Sequence, residues 1–377
     1  MTQPKLRFQS EDGTEFPEWE EKSIKEIAPL QRGFDLPEKE RVNGEYPVVC
    51  SNGIVAYHNQ YKCEGYAVIT GRSGTIGNFT YLDKCRYWPH NTSLWVTDFC
   101  GNNPKFIYYF YHTIRIEQYS TGTGVPTLNR NNVHASRHYV PCLEEQQKIA
   151  DFLSAIDEVI TQSETEVRNL EQQKKAAMQK IFSQEVRFRR EDGTEYPEWE
   201  ELTMDDIFTE IIEKDRADLP VLSILQGQGT VYRDSSDRNI MYDKKSTVNY
   251  KAMKKGDFII HLRTFEGGLE CATLDGISSP AYKILRTNIL IPEVYKGYFR
   301  SKQFIDGRLA IAVTGVRDGK NIEMSTFWQI IVPVPSLEEQ QKIADFFSAY
   351  DEAITFAKQE VDKWKELKKG LLQQMFV

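Results

Sequence analysis

The chain repeats parts of its own sequence. The segment LEEQQKIADFLSAIDEVI, which begins at Leu143, returns as LEEQQKIADFFSAYDEAI at Leu337 with 15 of 18 residues identical. The segment RFQSEDGTEFPEWEE, which begins at Arg7, returns as RFRREDGTEYPEWEE at Arg187 with 12 of 15 identical. The residues between the copies share almost no similarity. Because a repeated frame encloses two unlike inserts, we expect one architecture that carries two different recognition surfaces.

The two LEEQQ segments are predicted to form long helices. Apolar residues recur at spacings of four and three along 149–181 and 343–375, and the polar residues Ser163, Lys174 and Lys368 interrupt them. A seam of this period, kept for about five heptads, is typical of a coiled coil. Each helix has one seam, so we expect the two helices to pair with each other in an antiparallel arrangement.

The starts of the two long helices differ in their caps. Ser336 followed by Glu339 predicts a capping box, in which the serine caps the helix and the glutamate reaches back to the backbone. Cys142 occupies the cap position of the first copy, so we expect that helix to be capped less well.

The inserts are predicted to be rich in β-strand, each with one helix near its end. Apolar or alternating runs bounded by turn residues are typical of strands. In the first insert, strands are expected within 46–59, 66–82 and 93–99, and a helix over 104–120. In the second insert, strands are expected within 221–225, 256–265 and 281–288, and a helix over 292–313.

These patterns predict a mixed α+β (α/β) fold with an internal pseudo-two-fold repeat. Two β-rich globular domains, each with a late helix, are expected to be separated by the antiparallel two-helix coiled coil. The expected segments are an N-terminal frame segment (1–21), a first recognition domain (22–142), a long central helix (143–183), a repeated linker (184–201), a second recognition domain (202–336) and a long C-terminal helix (337–377).

The net charge of −8 is distributed unevenly along the chain. The first insert, 22–142, carries 13 Lys and Arg against 9 Asp and Glu, and the second, 202–336, carries 18 against 17. The acidity therefore lies in the repeated frame. Because attraction to a polyanion depends on the local field rather than on the total charge, the inserts remain candidates for binding nucleic acid.

Composition predicts a soluble cytoplasmic protein. No apolar run reaches the roughly 18–20 residues that span a bilayer, and the polar N-terminus does not resemble a signal peptide. The six cysteines form no CxxC pair and no metal-type spacing, which favours a reducing compartment.

The sequence predicts no catalytic site and no cofactor. The glycines that begin at Gly71 and at Gly315 do not have the spacing of a dinucleotide or phosphate loop. His134 and His138 lie four residues apart without an HExxH glutamate, so we interpret them as structural.

Polar loops rich in Arg, Asn, Thr and Ser occur in both inserts. These residue types suit the edges of bases and backbone phosphates. The candidates in the first insert are Arg72, Ser73, Thr75, Asn78, Asn91, Thr92, Ser93, Thr123, Asn129 and Arg130. Those in the second are Arg263, Thr264, Gly268, Ser278, Ser279, Tyr282, Arg317, Lys320 and Asn321.

With its Val-Pro insert ends, its duplicated LEEQQKIADF helix start and its repeated PEWE segment, the chain resembles the specificity subunit of type I restriction–modification systems. The C-terminal LKKGLLQQMFV is also similar to members of that family. The resemblance implies a non-catalytic subunit that binds double-stranded DNA, with one half of an asymmetric bipartite target bound by each recognition domain.

The resemblance also implies protein partners and a role in DNA methylation and phage defence. Modification (methyltransferase) subunits, two in number, are expected to dock on the helices, and restriction (translocase and nuclease) subunits to join that core. We expect the helices to set the spacer between the half-sites. The predicted partner surface is Glu144, Glu145, Gln147, Lys148, Glu338, Glu339, Gln341 and Lys342.

Two other classes of function stay open from the residues alone. The inserts could bind proteins, so that the chain is a scaffold that does not bind DNA. Alternatively, Glu266, Glu270 and Asp275 could gather a metal ion in an enzyme. Steep weakening of DNA binding as salt rises separates the first alternative from a DNA-binding protein. Metal analysis and a nuclease assay test the second.

Overall fold

The computed structural model describes residues 3–121, 126–233, 244–261, 268–315 and 321–377. The chain divides into two compact units, Met1–Thr165 with Lys358–Val377, and Glu166–Ala357. Each unit thus combines one recognition domain with the beginning of one long helix and the end of the other. Within the described residues, no helix is long and apolar enough to span a membrane.

The first unit is built on a six-stranded sheet. The strands of the whole unit are β1 Glu20–Ser23, β2 Leu30–Arg32, β3 Tyr46–Cys50, β4 Gly53–His58, β5 Cys63–Gly71, β6 Phe79–Pro89, β7 Ser93–Val96, β8 Ser120–Thr121, β9 Thr127–Leu128 and β10 Arg137–Val140. Its helices are α1 Ile24–Ile27, α2 Pro104–Thr113, α3 Arg130–Ala135 and the first part of α4 Leu143–Phe182, with 3-10 turns at Glu38–Glu40 and Ile116–Tyr119. The sheet order is β2-β7-β5-β6-β3-β4, and only β3 and β6 pair in parallel.

The second unit contains a smaller sheet and several two-stranded ribbons. Its strands are β11 Glu200–Thr203, β12 Thr209–Ile211, β13 Leu222–Leu225, β14 Gly229–Tyr232, β15 Lys251–Met253, β16 Phe258–His261, β17 Glu270–Cys271, β18 Gly276–Ser278, β19 Tyr282–Arg286, β20 Val313–Thr314, β21 Asn321–Ile322 and β22 Ile331–Val334. Its helices are α5 Met204–Ile207, α6 Pro292–Tyr298, α7 Lys302–Ile305, α8 Met324–Trp328, the last part of α4 and the first half of α9 Leu337–Met375, with 3-10 turns at Lys244–Asn249 and Leu309–Ala312. The four-stranded sheet has the order β12-β19-β16-β17 and is antiparallel.

The predicted mixed fold, with β-rich domains and two long helices, is confirmed. The helix expected over 292–313 is wrong as a single element, because it breaks into α6, α7 and a 3-10 turn. Ser301 starts α7 anew by accepting a hydrogen bond from the Phe304 amide at 3.2 Å. The helix expected over 104–120 likewise stops at Thr113, where Ile114 turns to an extended conformation.

The long helices pair in an antiparallel arrangement within each unit. In the first unit, Asp157 pairs with Lys368 at 2.5 Å and Glu164 with Lys365 at 2.7 Å. The residue number in α9 falls as the residue number in α4 rises, so the two helices run in opposite directions. In the second unit, Lys174 of α4 pairs with Asp351 of α9 at 2.5 Å.

The repeated frame makes the same contacts in both units. Strand β1 pairs with β10 with Glu20 opposite Val140, and β11 pairs with β22 with Glu200 opposite Val334. Each ribbon closes its recognition domain beside the start of a long helix. The frame therefore repeats in structure as well as in sequence, whereas the sheets of the two inserts differ.

A buried glutamate joins the two repeated segments of each unit. Glu145 accepts hydrogen bonds from Arg7, with Nη2 at 2.7 Å from Oε2, and from the Trp19 indole at 3.2 Å. Glu339 accepts from Arg187 at 3.0 Å and from the Trp199 indole at 2.9 Å.

Both glutamates are fully buried, so the guanidinium and the indole replace the water that each carboxylate loses. The hydrogen bond and the charge of Glu145 raise the pKa of Arg7 above its ordinary value. Only half of the predicted capping box forms: Ser336 Oγ accepts from the Glu339 amide at 3.3 Å, but the Glu339 side chain turns inward.

The next residue of each LEEQQ segment anchors the late helix. Gln146 accepts from the Asn103 amide at 2.9 Å, just before α2, and Gln340 accepts from the Ile291 amide at 2.8 Å, just before α6. Both glutamines are buried. Buried polar groups are costly unless they are hydrogen-bonded, which explains why these positions are identical in the two repeats.

A backbone hydrogen bond joins the N-terminal and C-terminal segments, and an equivalent one joins two residues in the middle of the chain. The Leu6 amide donates to the Gln374 carbonyl at 3.0 Å, and the Val186 amide donates to the Lys180 carbonyl at 3.2 Å. Phe376 is buried against Phe106, with ring centroids 5.5 Å apart. Met375, the last residue of α9, and Phe376, which follows it, are thus part of the first unit's core.

Candidate nucleic-acid interface

Three loops that are distant in sequence converge in the first unit. The Arg72 amide donates to the Thr92 carbonyl at 2.8 Å, and the Leu128 amide donates to the Arg72 carbonyl at 2.7 Å. The Gly74 amide reaches the Pro126 carbonyl at 3.3 Å. The structure therefore brings together candidates that the sequence placed in three separate segments.

The turn between β3 and β4 joins the same surface. A Cβ at Gly71 would lie 1.7 Å from the Thr75 carbonyl oxygen and 3.0 Å from the Ser51 Cβ, so only glycine fits this close approach. Ser51 and the exposed Asn52 thereby lie beside the 72–75 loop. These two residues were not among the predicted candidates, although the SNG turn within the predicted strand region 46–59 was a visible signal.

The basic groups of this surface are only partly neutralised. Arg72 is half-buried, and no described residue supplies its guanidinium with a hydrogen bond or a carboxylate. Arg41, which the sequence analysis also missed, has a buried Nε without a partner in the described part of the chain. Burial, and then the Arg41 charge, lower the pKa of His90, whose Nδ1 lies 2.9 Å from the Thr92 hydroxyl.

The other first-unit candidates take different positions. Ser93 is buried, and its hydroxyl donates to the His90 carbonyl at 2.7 Å, so it supports the loop from beneath. Asn91 donates to the Asp35 carboxylate, and Asn129 caps α3 by accepting from the Asn131 amide. Ser73 and Thr75 are half-buried, Asn78 and Arg130 are exposed, and Thr123 lies outside the described residues.

In the second unit, one polar cluster surrounds Tyr282. Its ring lies 5.1 Å from the His261 ring, and its carbonyl accepts a hydrogen bond from Lys251 at 2.9 Å. Arg233, which the sequence analysis did not single out, approaches the Tyr250 hydroxyl at 3.5 Å. Ser279 is half-buried at the start of the same turn.

The remaining second-unit candidates are dispersed or buried. Gly268 is buried against the backbone of Phe299, and Ser278 is fully buried with its hydroxyl unpartnered among the described residues. These two residues lie beneath the surface, which corrects the expectation that they are available to a ligand. Asn321 is exposed on β21. Arg263, Thr264, Arg317 and Lys320 lie outside the described residues.

Comparison with known families decides the classification. The sequence profile described as "Type I restriction modification DNA specificity domain" matches residues 17–172 and 197–363, which is most of the chain. The chain belongs to this family. The two matched stretches coincide with the two copies of the repeated organisation.

Named relatives agree with this membership in the specificity family. The type I restriction enzyme MjaVIII specificity subunit of Methanocaldococcus jannaschii is 23% identical over 292 residues, covering 70% of this chain and 68% of the relative. The putative MjaX specificity subunit of the same organism is 25% identical, over 65% of this chain and 60% of the relative. The EcoprrI specificity subunit of Escherichia coli is 24% identical over 40% of this chain and 38% of its own length.

Solved structures share the fold of this specificity-family chain. The crystal structure of a type I restriction-modification system S subunit from M. genitalium superposes with a TM-score of 0.56 at 16% identity, covering 100% of this chain and 99% of that one. A chain from a structure on complex assembly and conformational transition of the type I R-M system also gives 0.56, at 15% identity, over 96% and 98%. At this identity the likeness concerns the fold alone.

Structural roles account for the histidines and for two acidic residues weighed as metal ligands. His134 Nε2 accepts from the Leu30 amide at 2.9 Å, and His138 Nε2 lies 3.1 Å from the Ser136 hydroxyl. Glu270 pairs with Arg300, Asp275 accepts from the Lys255 amide, and Glu266 lies outside the described residues. Among the residues that the structure covers, His, Cys, Asp and Glu form no group of three that could hold a metal.

The predicted partner surface is only partly exposed. Glu145 and Glu339 are fully buried in the ion pairs described above, so these two residues do not face a partner and that expectation is corrected. The physical reason is that each binds an arginine and a tryptophan of the repeated segments that begin at Arg7 and Arg187. Exposed or half-buried residues of the predicted surface are Glu144, Gln147, Lys148, Glu338, Gln341 and Lys342.

Proposed function

We propose that this specificity-family chain binds double-stranded DNA and selects an asymmetric bipartite target, with one half-site for each recognition domain. The observation that carries the proposal is the half-buried Arg72, whose guanidinium has no partner among the described residues and lies where three loops of the first domain meet. An arginine held without an anion of its own favours an external one, and a guanidinium fits the guanine edge or a phosphate.

The charge distribution supports the same proposal. The first insert has a surplus of four basic residues and the second a surplus of one, while the frame is acidic. Phosphate contacts then orient each domain, and contacts with base edges select the sequence. Because the loops of the two domains differ in residues and in structure, their half-sites should differ as well.

We infer that two copies of one methyltransferase subunit dock on the repeated frame. The first 18 residues of the long helices are identical at 15 positions, whereas the next 22 are identical at only 7. Common descent alone would leave both parts equally similar. Burial explains part of the retained identity, but several identical positions are exposed in both copies, namely Leu143 and Leu337, Glu144 and Glu338, Gln147 and Gln341, Asp151 and Asp345, Ala155 and Ala349, and Glu158 and Glu352.

An exposed leucine is the strongest sign of such docking. Leu143 is 51% and Leu337 58% exposed at the first position of their helices. Apolar contact flanked by Glu144 or Glu338 fits a partner that presents an apolar group within a basic surface. A partner that binds in two copies requires the same surface twice, and the frame supplies it.

The DNA proposal is tested by mapping methylated bases in a host that carries the complete system. Arg72→Ala should change or relax one half-site and leave the other intact. Arg137→Ala serves as the matched control, because Arg137 is in the same unit but pairs with Glu21. Loss of both half-sites with Arg72→Ala would contradict the assignment and indicate a folding defect.

A binding assay separates DNA binding from a scaffold. Affinity of the assembled complex for its target should fall steeply between low and physiological salt, because neutralised phosphates release counterions. No binding to DNA would favour the scaffold, and binding that is indifferent to salt would contradict the proposal.

The docking proposal is tested by stoichiometry. Leu143→Asp should remove one methyltransferase copy from the purified complex, and Leu143→Asp with Leu337→Asp should remove both, as measured by native mass spectrometry. Leu367→Asp is the control, since Leu367 is 48% exposed outside the retained stretch. Two copies retained by the double variant would contradict this surface.

A further inference from the structure

The second unit contains a polar cleft of about 750 Å³ between its recognition domain and the long helices. The turn at 227–229 and residues 270–273 form one wall, and α6 forms another. Lys174 of α4 and Asp351 of α9 also line it. None of the described candidates for DNA contact lines this cleft.

The first unit fills the corresponding space with its own side chains. Helices α2 and α6 correspond, because each begins with proline directly after an amide held by Gln146 or Gln340. In α2, the Tyr109 hydroxyl donates to Asp157 at 2.7 Å, and Lys105 Nζ lies 4.2 Å from the centroid of the Tyr81 ring.

In α6, the residue that corresponds to Tyr109 is Gly297. A Cβ there would lie 2.1 Å from Met178 Cε, so the helix packs closely at that point. The residue that corresponds to Tyr108 is Lys296, and none of the described residues that line the cleft is aromatic. The aromatic cluster of the first unit is thus replaced in the second by an open space bordered by charged residues.

Cations exceed carboxylates around this space. Lys174 and Lys296 share the single carboxylate of Asp351, at 2.5 and 3.5 Å. Lys174 is only 18% exposed, so its charge is poorly hydrated. Lys255 on the opposite wall has no carboxylate partner within the described chain, and Arg300 is already paired with Glu270 at 3.2 Å.

We propose that this cleft binds a small multivalent anion carrying phosphate groups. Lys174, Lys255 and Lys296 would contact it, because Arg300 is paired with Glu270 and the three lysines are left with only the carboxylates of Asp351 and Glu293. The absence of aromatic side chains among the lining residues argues against a stacked nucleobase and for a compact anion such as a polyphosphate. The proposal is independent of target recognition, since neither Tyr282 nor any of the residues of its polar cluster lines the cleft, and all of the lining residues belong to the second unit.

The test uses the full chain and pyrophosphate as the probe, with isothermal titration at constant ionic strength set by sodium chloride. We expect saturable binding of one pyrophosphate per chain. Lys296→Gln and Lys255→Gln should each weaken it about tenfold, the scale of one charge-assisted contact. Glu293→Gln removes a carboxylate from the rim and should tighten binding. Lys302→Gln, an exposed lysine of the same unit outside the cleft, should leave it unchanged.

The outcomes separate cleanly. No saturable binding, or equal binding by the Lys296→Gln and Lys302→Gln variants, would overturn the proposal. Displacement of bound pyrophosphate by a non-target duplex would identify the phosphate as that of the DNA backbone. Retention of bound pyrophosphate in the presence of the duplex would identify the ligand as a free anion. Target specificity of the Lys296→Gln variant should stay unchanged in the methylation assay, so failure here leaves the proposed function untouched.

Discussion

Lys174 and Asp351 form an ion pair in the seam between α4 and α9, and Lys368 and Asp157 form the equivalent pair, each at 2.5 Å. In a parallel pairing the two lysines would lie side by side. A slip by one heptad would place Lys174 opposite Ala344 or Lys358 and leave it without an anion. Polar residues in a heptad seam are known to specify register and orientation. The interruptions of the seam therefore define the antiparallel pairing.

Reversal of the charge at this seam should be more harmful than its removal. Lys174→Asp would oppose Asp351 and should lower the free energy of unfolding by about 1–2 kcal/mol, given partial solvent exposure. Lys174→Met suits the apolar seam and leaves Asp351 with Lys296, so it should cost less than about 1 kcal/mol. Urea denaturation measures both. Equal losses would show that the charge does not matter.

The buried glutamates should be essential to each unit. Glu145→Gln removes the charge that holds Arg7 and should destabilise the first unit by about 2–3 kcal/mol, less than a fully buried pair because Arg7 is 21% exposed. Glu339→Gln should do the same in the second unit. Glu144→Gln, one residue away and exposed, is the control. Thermal unfolding followed by hydrogen exchange locates the affected unit. A Glu145→Gln variant with unchanged stability would contradict the proposed stabilising role of this carboxylate.

The last aromatic residue should stabilise the first unit. Phe376 is 7% exposed and packs on Phe106 and Trp19, so Phe376→Ala should cost about 3 kcal/mol through lost burial and a cavity. Removal of Val377, which is 45% exposed, should have little effect. Differential scanning calorimetry compares the two. Similar melting profiles for Phe376→Ala and the wild type would mean that α9 ends outside the core.

Acidification should destabilise the first unit through His134. Burial, and then the Arg130 charge, lower its pKa in the folded chain, while the unfolded chain keeps an ordinary value near about 6.5. Below that pH the unfolded state binds more protons than the folded state. The contribution of His134 to the free energy of unfolding is therefore fully present above about pH 6.5 and is lost as the pH falls. Melting temperatures at pH 7.5 and 5.5 test this. Wild type should lose more than His134→Gln, and equal losses would exclude His134 as a contributor.

The length of the paired helices should set the spacer of the target. Insertion of one heptad into both α4 and α9 lengthens the pair by about 10 Å, which corresponds to about three base pairs. Methylation mapping should show a longer spacer or a loss of activity. An active variant with an unchanged spacer would show that the helices do not act as a ruler.

Periodic features were predictable from the sequence. The seams at 149–181 and 343–375 predicted the long helices and their pairing, because the periodicity of a helix or a coiled coil is visible in the local sequence. The strands of the first insert lie only partly within the predicted runs, since the run 66–82 spans the end of β5, a loop and the start of β6. The division of 292–313 into short helices did not, since Ser301 restarts a helix inside a run that remains apolar enough to be continuous.

Long-range contacts determined what the sequence could not predict. Identity between repeats marked Glu145 as important but did not reveal that Arg7 and Trp19, more than 100 residues away, hold it inside. Likewise, Arg72 was visible as a loop arginine, yet its approach to Thr92 and Leu128 depends on the sheet order. Arg41 was missed because no local motif marks it, whereas Asn52 was missed although the SNG turn that contains it was a local signal.

The backbone contact of Leu6 with Gln374 reproduces that of Val186 with Lys180, so the first unit makes between two segments far apart in sequence the contact that the second unit makes within one continuous segment. The contact itself therefore needs no short covalent link between the residues that make it. A circular permutant with residues 377 and 1 linked and new ends opened between Ser183 and Gln184 should keep both hydrophobic cores.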